Sequence, residues 1–157
     1  MGLSRIVPLI KTVYTLTGSL MGVNRQADIE VFHRLDTILV ESRIRKILNY
    51  SFFTECIGVD EREVLFSFVD ALQRVENRYL HPVVALRAEK LTSALSELLQ
   101  TVGSTFSSED GGRLRFHPDP IDTTAYNREW DNLHDVVEKA WGAYRAYRAG
   151  VKDRLKV

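Results

Sequence analysis

Hydrophobic residues recur at helical spacing along most of the chain, and the clearest case lies in its last third. Between Asp122 and Val157 the apolar side chains follow one another at steps of three, four or seven, which lines one face of an α-helix. This face consists of Tyr126, Trp130, Leu133, Val137, Ala140, Trp141, Tyr144, Val151 and Leu155. An unbroken helix here would be about 50 Å long at ~1.5 Å per residue. We therefore expect its last turns to project beyond the domain or to bend near Gly150.

Three earlier segments carry shorter apolar faces with the same period. The predicted helices run from Asp28 to Asn49, from Asp60 to Tyr79 and from Pro82 to Gly103. Asp28 is the candidate N-cap of the first, and Asp60 has capping-box spacing to Glu63 in the second. The pair His81-Pro82 ends the second helix and begins the third, because proline suits the first position of a helix.

The stretch from Ser104 to Pro120 breaks the helical period. Its turn residues, from Ser107 to Gly112, precede Leu114 and Phe116, which alternate with polar positions. An Asp-Gly-Gly turn between such segments indicates a β-hairpin or an extended flap. The whole pattern predicts an all-α fold in a single domain, residues 1–157: an antiparallel bundle of four to five helices, with a small β-hairpin or flap before a long C-terminal helix.

Residues 1–23 form an apolar segment that fits two structures. Arg5 and Lys11 are its only charged side chains. Its β-branched residues favour a strand, whereas its spacing favours a helix, which we expect. The apolar positions that share a helical face are Leu3, Ile6, Val7, Ile10 and Val13. An apolar face of this size is normally buried, either by the rest of the protein or by a partner. Either the segment is a fifth core helix, or it is an interface for another protein.

Composition excludes several classes of protein. Twenty-one basic residues balance 21 acidic ones among 157, so net charge indicates neither nucleic acid nor an acidic partner. The single cysteine, Cys56, excludes an internal disulfide; we expect a buried thiol and a cytoplasmic protein. No apolar run approaches the ~18 residues of a membrane span. No motif for a nucleotide cofactor, a serine nucleophile or structural zinc occurs, so no cofactor is expected.

Two acidic-x-x-His pairs are candidate metal ligands. Glu30 and His33 form one pair, and Asp131 and His134 form the other. Residues three apart share a helix face, so each pair could chelate one cation. Di-metal helical bundles use two Glu-x-x-His helices and a glutamate from each of two others. Solvated faces near helix starts explain the pairs equally well, so a metal site is an alternative rather than the expectation.

Arg128 and His134 form an Arg-x5-His sequence. It resembles the Arg-x4–6-His motif of HEPN-type ribonucleases, which are small helical bundles and usually dimers. The resemblance implies that Arg128 and His134 act on a scissile phosphate across a dimer cleft. It covers seven residues, and Glu129 stands where the family favours a polar residue after the arginine. A carboxylate is an unfavourable neighbour for a phosphate.

Cations and aromatic residues alternate near the C-terminus. Basic residues among aromatics bind single-stranded nucleic acid by neutralising its backbone and stacking on its bases. The candidates for such binding are Arg145, Arg148, Lys152, Arg154 and Lys156. However, Trp141 and Tyr144 belong to the predicted core face, and cations are favoured at any helix C-terminus. Nucleic acid is therefore not the expected partner.

The sequence thus supports an interaction surface more clearly than a catalytic site. We expect a non-enzymatic helical protein that acts by binding another protein or itself, through the apolar face of residues 1–23. One alternative is an RNA-binding or HEPN-like RNA-processing module using Arg128, His134 and the basic C-terminus. Another is a metal-binding bundle using the two acidic-x-x-His pairs.

Overall fold

The computed structural model describes residues 24–109, 111–117 and 123–157, so the predicted segment 1–23 lies outside the described residues. The helices are α1 (24–38), α2 (Glu41–Lys46), α3 (Val59–Gln73), α4 (Pro82–Thr105) and α5 (Thr123–Leu155). The strands are β1 (Cys56–Gly58), β2 (Phe106–Glu109) and β3 (Arg113–Phe116). The predicted fold class is confirmed: helices form the body, and a small antiparallel sheet precedes the long last helix.

Helix α5 is the longest described element, and most of its predicted apolar face lies in the core, with Tyr126, Trp130 and Trp141 partly buried against it. It runs for 33 residues, and Leu133 and Tyr144 are almost fully buried. The expectation that its end projects or bends is wrong, because the helix continues through Gly150 and Leu155 is buried. The Arg25 guanidinium donates hydrogen bonds of 2.7 and 2.9 Å to the Leu155 carbonyl. Helix α1 therefore covers and caps the end of α5.

The predicted helix from Asp28 to Asn49 is wrong in its extent. The chain is extended at Val40 (φ −66°, ψ 149°), which separates α1 from the short α2. A π-helical turn, Ile47–Ser51, and a 3-10 turn, Phe52–Thr54, follow. Arg148 of α5 holds both sides of the break, with its guanidinium 2.5 Å from Asp36 Oδ1 and 3.1 Å from Glu41 Oε2. A tertiary ion pair of this kind carries no local sequence signal.

The start of α3 differs from the prediction in its capping residue. The helix begins at Val59, and the side chain that caps it is Glu61 rather than Asp60. Glu61 Oε2 accepts a hydrogen bond of 3.2 Å from the backbone N–H of Gly58. The N-cap is therefore Gly58, two residues earlier than the Asp60–Glu63 spacing predicts.

The end of α3 also comes earlier than predicted, at Gln73 rather than Tyr79. A 3-10 turn, Val75–Asn77, follows it, and Val75 is exposed. The Asn77 side chain is buried and donates a hydrogen bond of 2.9 Å to the carbonyl of Ala71 in the last turn of α3. Tyr79 is buried as expected of an apolar position, although it lies in the joint and not in the helix.

Helix α4 begins as the sequence predicts and ends two residues later. Pro82 occupies its first turn, and Nδ1 of the N-cap residue His81 accepts a hydrogen bond of 3.2 Å from the Val83 N–H. The helix continues past Gly103 to Thr105, whose hydroxyl donates to the carbonyl of Thr101. A glycine near a helix end is permissive, and here it does not terminate the helix.

The predicted hairpin is present and belongs to a three-stranded sheet in the order β1-β3-β2. Gly111 (φ 90°) and Gly112 (φ 74°) adopt the left-handed backbone that the turn needs. Strand β1 was not predicted; it pairs with β3, and its Cys56 is partly exposed rather than buried. The Phe116 ring packs edge-on against Trp130, with centroids 5.1 Å apart, so the sheet covers the first half of α5.

Side-chain contacts fix the directions of α1, α4 and α5. Along α5, Lys139 pairs with Glu97 of α4, and further on the Ala146 carbonyl accepts a hydrogen bond of 2.8 Å from Arg87. Helices α4 and α5 are therefore antiparallel. Helix α1 is also antiparallel to α5, because Arg25 contacts Leu155 whereas Asp36 contacts Arg148. The starts of α1 and α4 and the end of α5 thus lie at one end of the bundle.

None of the helices within the described ranges is long and apolar enough to cross a membrane.

Candidate functional site

The two predicted catalytic residues lie in the first half of α5. Arg128 is exposed, with its guanidinium 3.7 Å from a carboxylate oxygen of Glu129. His134 is half-buried: Nδ1 is 3.0 Å from the Trp130 carbonyl oxygen, and its ring meets the Trp130 ring at 4.4 Å. Residues six apart point about 120° away from each other on a helix. One chain therefore does not bring the two side chains to a common point.

The two acidic-x-x-His pairs do not converge either. Glu30 and His33 are exposed on α1, which packs beside Arg148, whereas Asp131 and His134 lie near the start of α5. From His134 to Arg148 the helix rises about 21 Å at ~1.5 Å per residue. Across residues 24–109, 111–117 and 123–157, no three His, Cys, Asp or Glu side chains are placed to hold a metal ion.

The C-terminal cations are divided between the protein interior and its surface. Arg148 is engaged by two carboxylates and lies over the Phe32 ring, 4.8 Å from its centroid. Arg145 lies over the Trp141 ring at 5.7 Å. The cations that are exposed beyond these are Lys152, Arg154 and Lys156. Since Tyr144 and Tyr147 are buried, neither offers a face on which a base could stack.

Asp28, which the sequence predicts to be the N-cap of the first helix, has a different role in the structure. It lies inside α1 rather than at its start, and only 1% of its surface is exposed. Its two carboxylate oxygens accept hydrogen bonds from the Leu80 N–H (2.6 Å) and the His81 N–H (2.9 Å). Asp28 therefore caps the joint between α3 and α4, a contact between residues 52 and 53 positions apart in the chain.

Three buried tyrosines line the inner side of α5 and the joint. The hydroxyls of Tyr79 and Tyr147 are 2.5 Å apart, and burial raises the pKa of both phenols. Burial also raises the pKa of Tyr144 to about 12. The Tyr144 hydroxyl is buried without a hydrogen-bond partner in the part of the chain that the structure describes. These groups stay protonated at neutral pH and serve packing rather than acid–base chemistry.

A concave surface runs along α3 and α4, and we call it the α3–α4 cleft. It consists of two adjoining clefts of about 550 and 400 Å³ that share Gln73 and Ser96. The part near the joint is lined further by Leu72, Asn77, Arg78, Tyr79, Ala85, Ala88, Glu89, Thr92 and Ser93, and the far part by Arg62, Phe66, Val69, Asp70, Leu99, Gln100 and Gly103. The sequence signal for this surface is the row of small α4 residues at helical spacing, such as Ala85, Ala88 and Thr92.

The walls of the α3–α4 cleft are mixed in chemistry. Its floor is apolar, since Val69 and Leu72 are 7% and 9% exposed. Phe66 stands at the far part with 66% of its surface exposed, an unusual placement for so large an apolar side chain. Charges of both signs lie at the rim, so the cleft has no strong electrostatic preference. Such a surface suits an apolar segment better than a phosphate or a metal.

Comparison with known proteins found no match for this chain among protein-family models, curated proteins or solved structures.

Proposed function

We propose that this protein acts by associating with another protein or with itself, and that the apolar face of residues 1–23 makes the contact. The observation that carries the proposal is the exposed α3–α4 cleft beside Phe66, in a chain that also has a nearly uncharged segment. Apolar surfaces of this kind mark interfaces in soluble proteins. The single cysteine supports a cytoplasmic setting for this association.

Within one chain, the described polar residues give the HEPN-like alternative no common site. Arg128 and His134 point away from each other, and Arg148 is engaged by Asp36 and Glu41. A catalytic site needs groups that converge on a reacting atom. Within the described ranges we find charged side chains that support the fold or meet solvent, but no such convergence.

Deletion of residues 1–23 tests the proposal. We expect the full chain to associate in light scattering and the shortened chain to lose that association, because it lacks the apolar face. Far-UV circular dichroism of the shortened chain should retain the helical signal, since α1 to α5 lie outside the deletion. If the folded, shortened chain associates as strongly as the full chain, residues 1–23 are not the interface.

The RNA-binding alternative stays a prediction with its own test. Binding to single-stranded RNA through the basic C-terminus has to weaken as salt rises, because it releases counterions from the phosphates. A salt series in a fluorescence-anisotropy assay decides it: no binding, or binding that salt does not weaken, excludes this alternative. The metal-binding alternative is excluded if elemental analysis of protein purified without chelator finds no transition metal.

A further inference from the structure

We propose that one end of the bundle docks on a membrane surface that carries anionic lipids. This end contains the starts of α1 and α4, the joint before α4 and the end of α5. We call it the basic end, and it comprises residues 24–28, 78–87 and 152–157. Because none of these residues belongs to the segment 1–23, the docking goes beyond the association proposed above.

Hydrogen bonds hold the three parts of the basic end together. The Arg25 guanidinium donates to the Leu155 carbonyl, which places the start of α1 beside the end of α5. The Asp28 carboxylate accepts hydrogen bonds from the N–H groups of Leu80 and His81, which places the joint beside α1. Residues that are far apart in the sequence therefore lie side by side at this end.

Positive charge is concentrated at the basic end. It has six basic and two acidic residues, whereas the whole chain has 21 of each. Asp28 is buried and engaged by the joint, so Asp153 is the exposed acidic residue of the basic end. All of the basic residues but Arg87 are exposed: Arg25, Arg78, Lys152, Arg154 and Lys156.

The nearest further acidic residues lie deeper along the bundle. Glu30 follows Arg25 on α1 by about 7.5 Å, and Glu89 lies about 10 Å into α4, at ~1.5 Å per residue. Glu76 lies beside Arg34, whose guanidinium donates a hydrogen bond of 2.9 Å to its carbonyl. The attraction of a charged membrane falls off within a Debye length of about 8–10 Å. An approaching membrane therefore interacts most strongly with the cations.

Two exposed leucines give the basic end an apolar component. Leu80 in the joint is 56% exposed, and Leu86 in the second turn of α4 is 53% exposed. At a bilayer surface, apolar side chains enter the boundary between headgroups and acyl chains, whereas lysine and arginine attract anionic headgroups. Binding strengthens with both contributions, so an anionic bilayer fits the two chemistries that this end combines.

The same features favour a bilayer over single-stranded nucleic acid. Proteins that bind single strands offer aromatic faces on which the bases stack. Tyr79 of the joint and Tyr147 of α5 are buried, and their hydroxyls are hydrogen-bonded to each other. The large side chains exposed in the joint and the first turns of α4 are instead Leu80 and Leu86. Leucine inserts into a bilayer but gives a base no stacking face.

Flotation of the full chain with lipid vesicles tests the docking. Vesicles of phosphatidylcholine mixed with phosphatidylserine present an anionic surface, and pure phosphatidylcholine vesicles present a neutral one. We expect the protein to float with the anionic vesicles and not with the neutral ones. Added salt should weaken the binding, because it screens the attraction between exposed charges. A protein that floats with neither kind of vesicle, or equally with both, would overturn the proposal.

Charge reversal locates the surface that binds. Lys152→Glu, Arg154→Glu and Lys156→Glu together should weaken binding to the anionic vesicles at least about tenfold. A matched control makes the same change of net charge at three exposed arginines near the opposite end of the bundle, Arg62, Arg113 and Arg128. It should keep most of its binding, and far-UV circular dichroism checks that both variants are folded. Both variants retain residues 1–23, so equal binding by the two would mean that the basic end is not the contact.

The exposed leucines decide between a bilayer and other anionic partners. Leu80→Gln with Leu86→Gln should weaken vesicle binding several-fold, whereas Phe66→Gln, which changes an exposed side chain of the α3–α4 cleft, should not. A leucine variant that binds as tightly as the unmodified protein would contradict insertion into a bilayer. Single-stranded RNA is the other probe: RNA binding that the charge reversal abolishes, in a protein that does not float, would assign the cations to nucleic acid.

Discussion

Asp28 illustrates how much a single side chain contributes to this fold. Its carboxylate is buried and accepts two backbone hydrogen bonds from the joint between α3 and α4. Those N–H groups precede the first turn of α4, where helical partners are absent. The orientation of α4 relative to α1 therefore depends on one acidic residue.

We expect Asp28→Ala to lower the free energy of unfolding by about 3 kcal/mol, because it removes two charge-assisted hydrogen bonds and leaves their donors unsatisfied. Asp28→Asn keeps one acceptor oxygen and should cost roughly half as much. Urea denaturation measures both. The exposed Asp131→Ala is the matched control and should change stability by less than about 0.5 kcal/mol. Equal stability of Asp28→Ala and Asp131→Ala would contradict this account.

Replacing two nearby arginines of α5 should change stability to different extents. Arg148 contacts Asp36, Glu41 and the Phe32 ring, whereas the exposed Arg145 lies over the Trp141 ring. Arg148→Ala should lower the free energy of unfolding by about 1.5 kcal/mol, since it leaves the partly buried Asp36 carboxylate without this cation and removes one of the two cations at Glu41, which keeps Arg45. Arg145→Ala should lower it by less than about 0.5 kcal/mol. If chemical denaturation gives the two variants the same stability, Arg148 does not hold the break between α1 and α2.

At the scale of elements, α5 connects the core to the joint through buried phenols. Tyr147 of α5 hydrogen-bonds to Tyr79 of the joint, and Tyr144 lies one turn away along the helix. Burial raises the pKa of all three above the ordinary value for tyrosine. The inner face of α5 thus tolerates these groups only in their neutral form.

These raised pKa values predict a loss of stability in alkali. Above pH ~10 the unfolded chain loses tyrosine protons that the folded chain keeps, so unfolding becomes more favourable as pH rises. The neutral tyrosines make their full contribution to the free energy of unfolding below pH ~10. That contribution decreases as pH approaches the pKa of Tyr144, which is about 12. Urea midpoints between about pH 8 and about pH 11 should fall. They should fall less steeply in Tyr147→Phe, which lacks one of the phenols; parallel slopes in the two proteins would contradict this explanation.

The sequence predicts elements whose signals are local. The apolar period identifies α4 and α5, His81-Pro82 marks the start of α4, and Gly111 and Gly112 mark the hairpin turn. These features depend on residues within a few positions of each other, so single-sequence reasoning finds them.

Features that depend on distant contacts could not be predicted. The break at Val40 is bridged by Arg148, more than 100 positions away, and β1 forms only because β3 pairs with it. The candidate interface also has one part with a local sequence signal and one part that depends on distant contacts. The apolar face of residues 1–23 is visible in the sequence, whereas the cleft exists only once α3 and α4 pack side by side.

At the scale of the whole molecule, several large apolar side chains of the described residues stand in solvent. Phe66, Leu80 and Leu86 are each more than half exposed, and the chain carries a further apolar segment with two charges. A neutral molecule with such surfaces is suited to association. The account therefore depends on whether the apolar face of that segment, and not its mere presence, drives association.

The most direct test changes that face and leaves the length of the chain unchanged. Ile6→Asp with Ile10→Asp places two charges on the apolar face, whereas Thr12→Asp with Thr15→Asp adds the same charge on the opposite side of a helical projection. Light scattering should find one chain per particle for the isoleucine variant, and the same associated mass as the unmodified protein for the threonine variant. An isoleucine variant that stays fully associated would contradict the central claim.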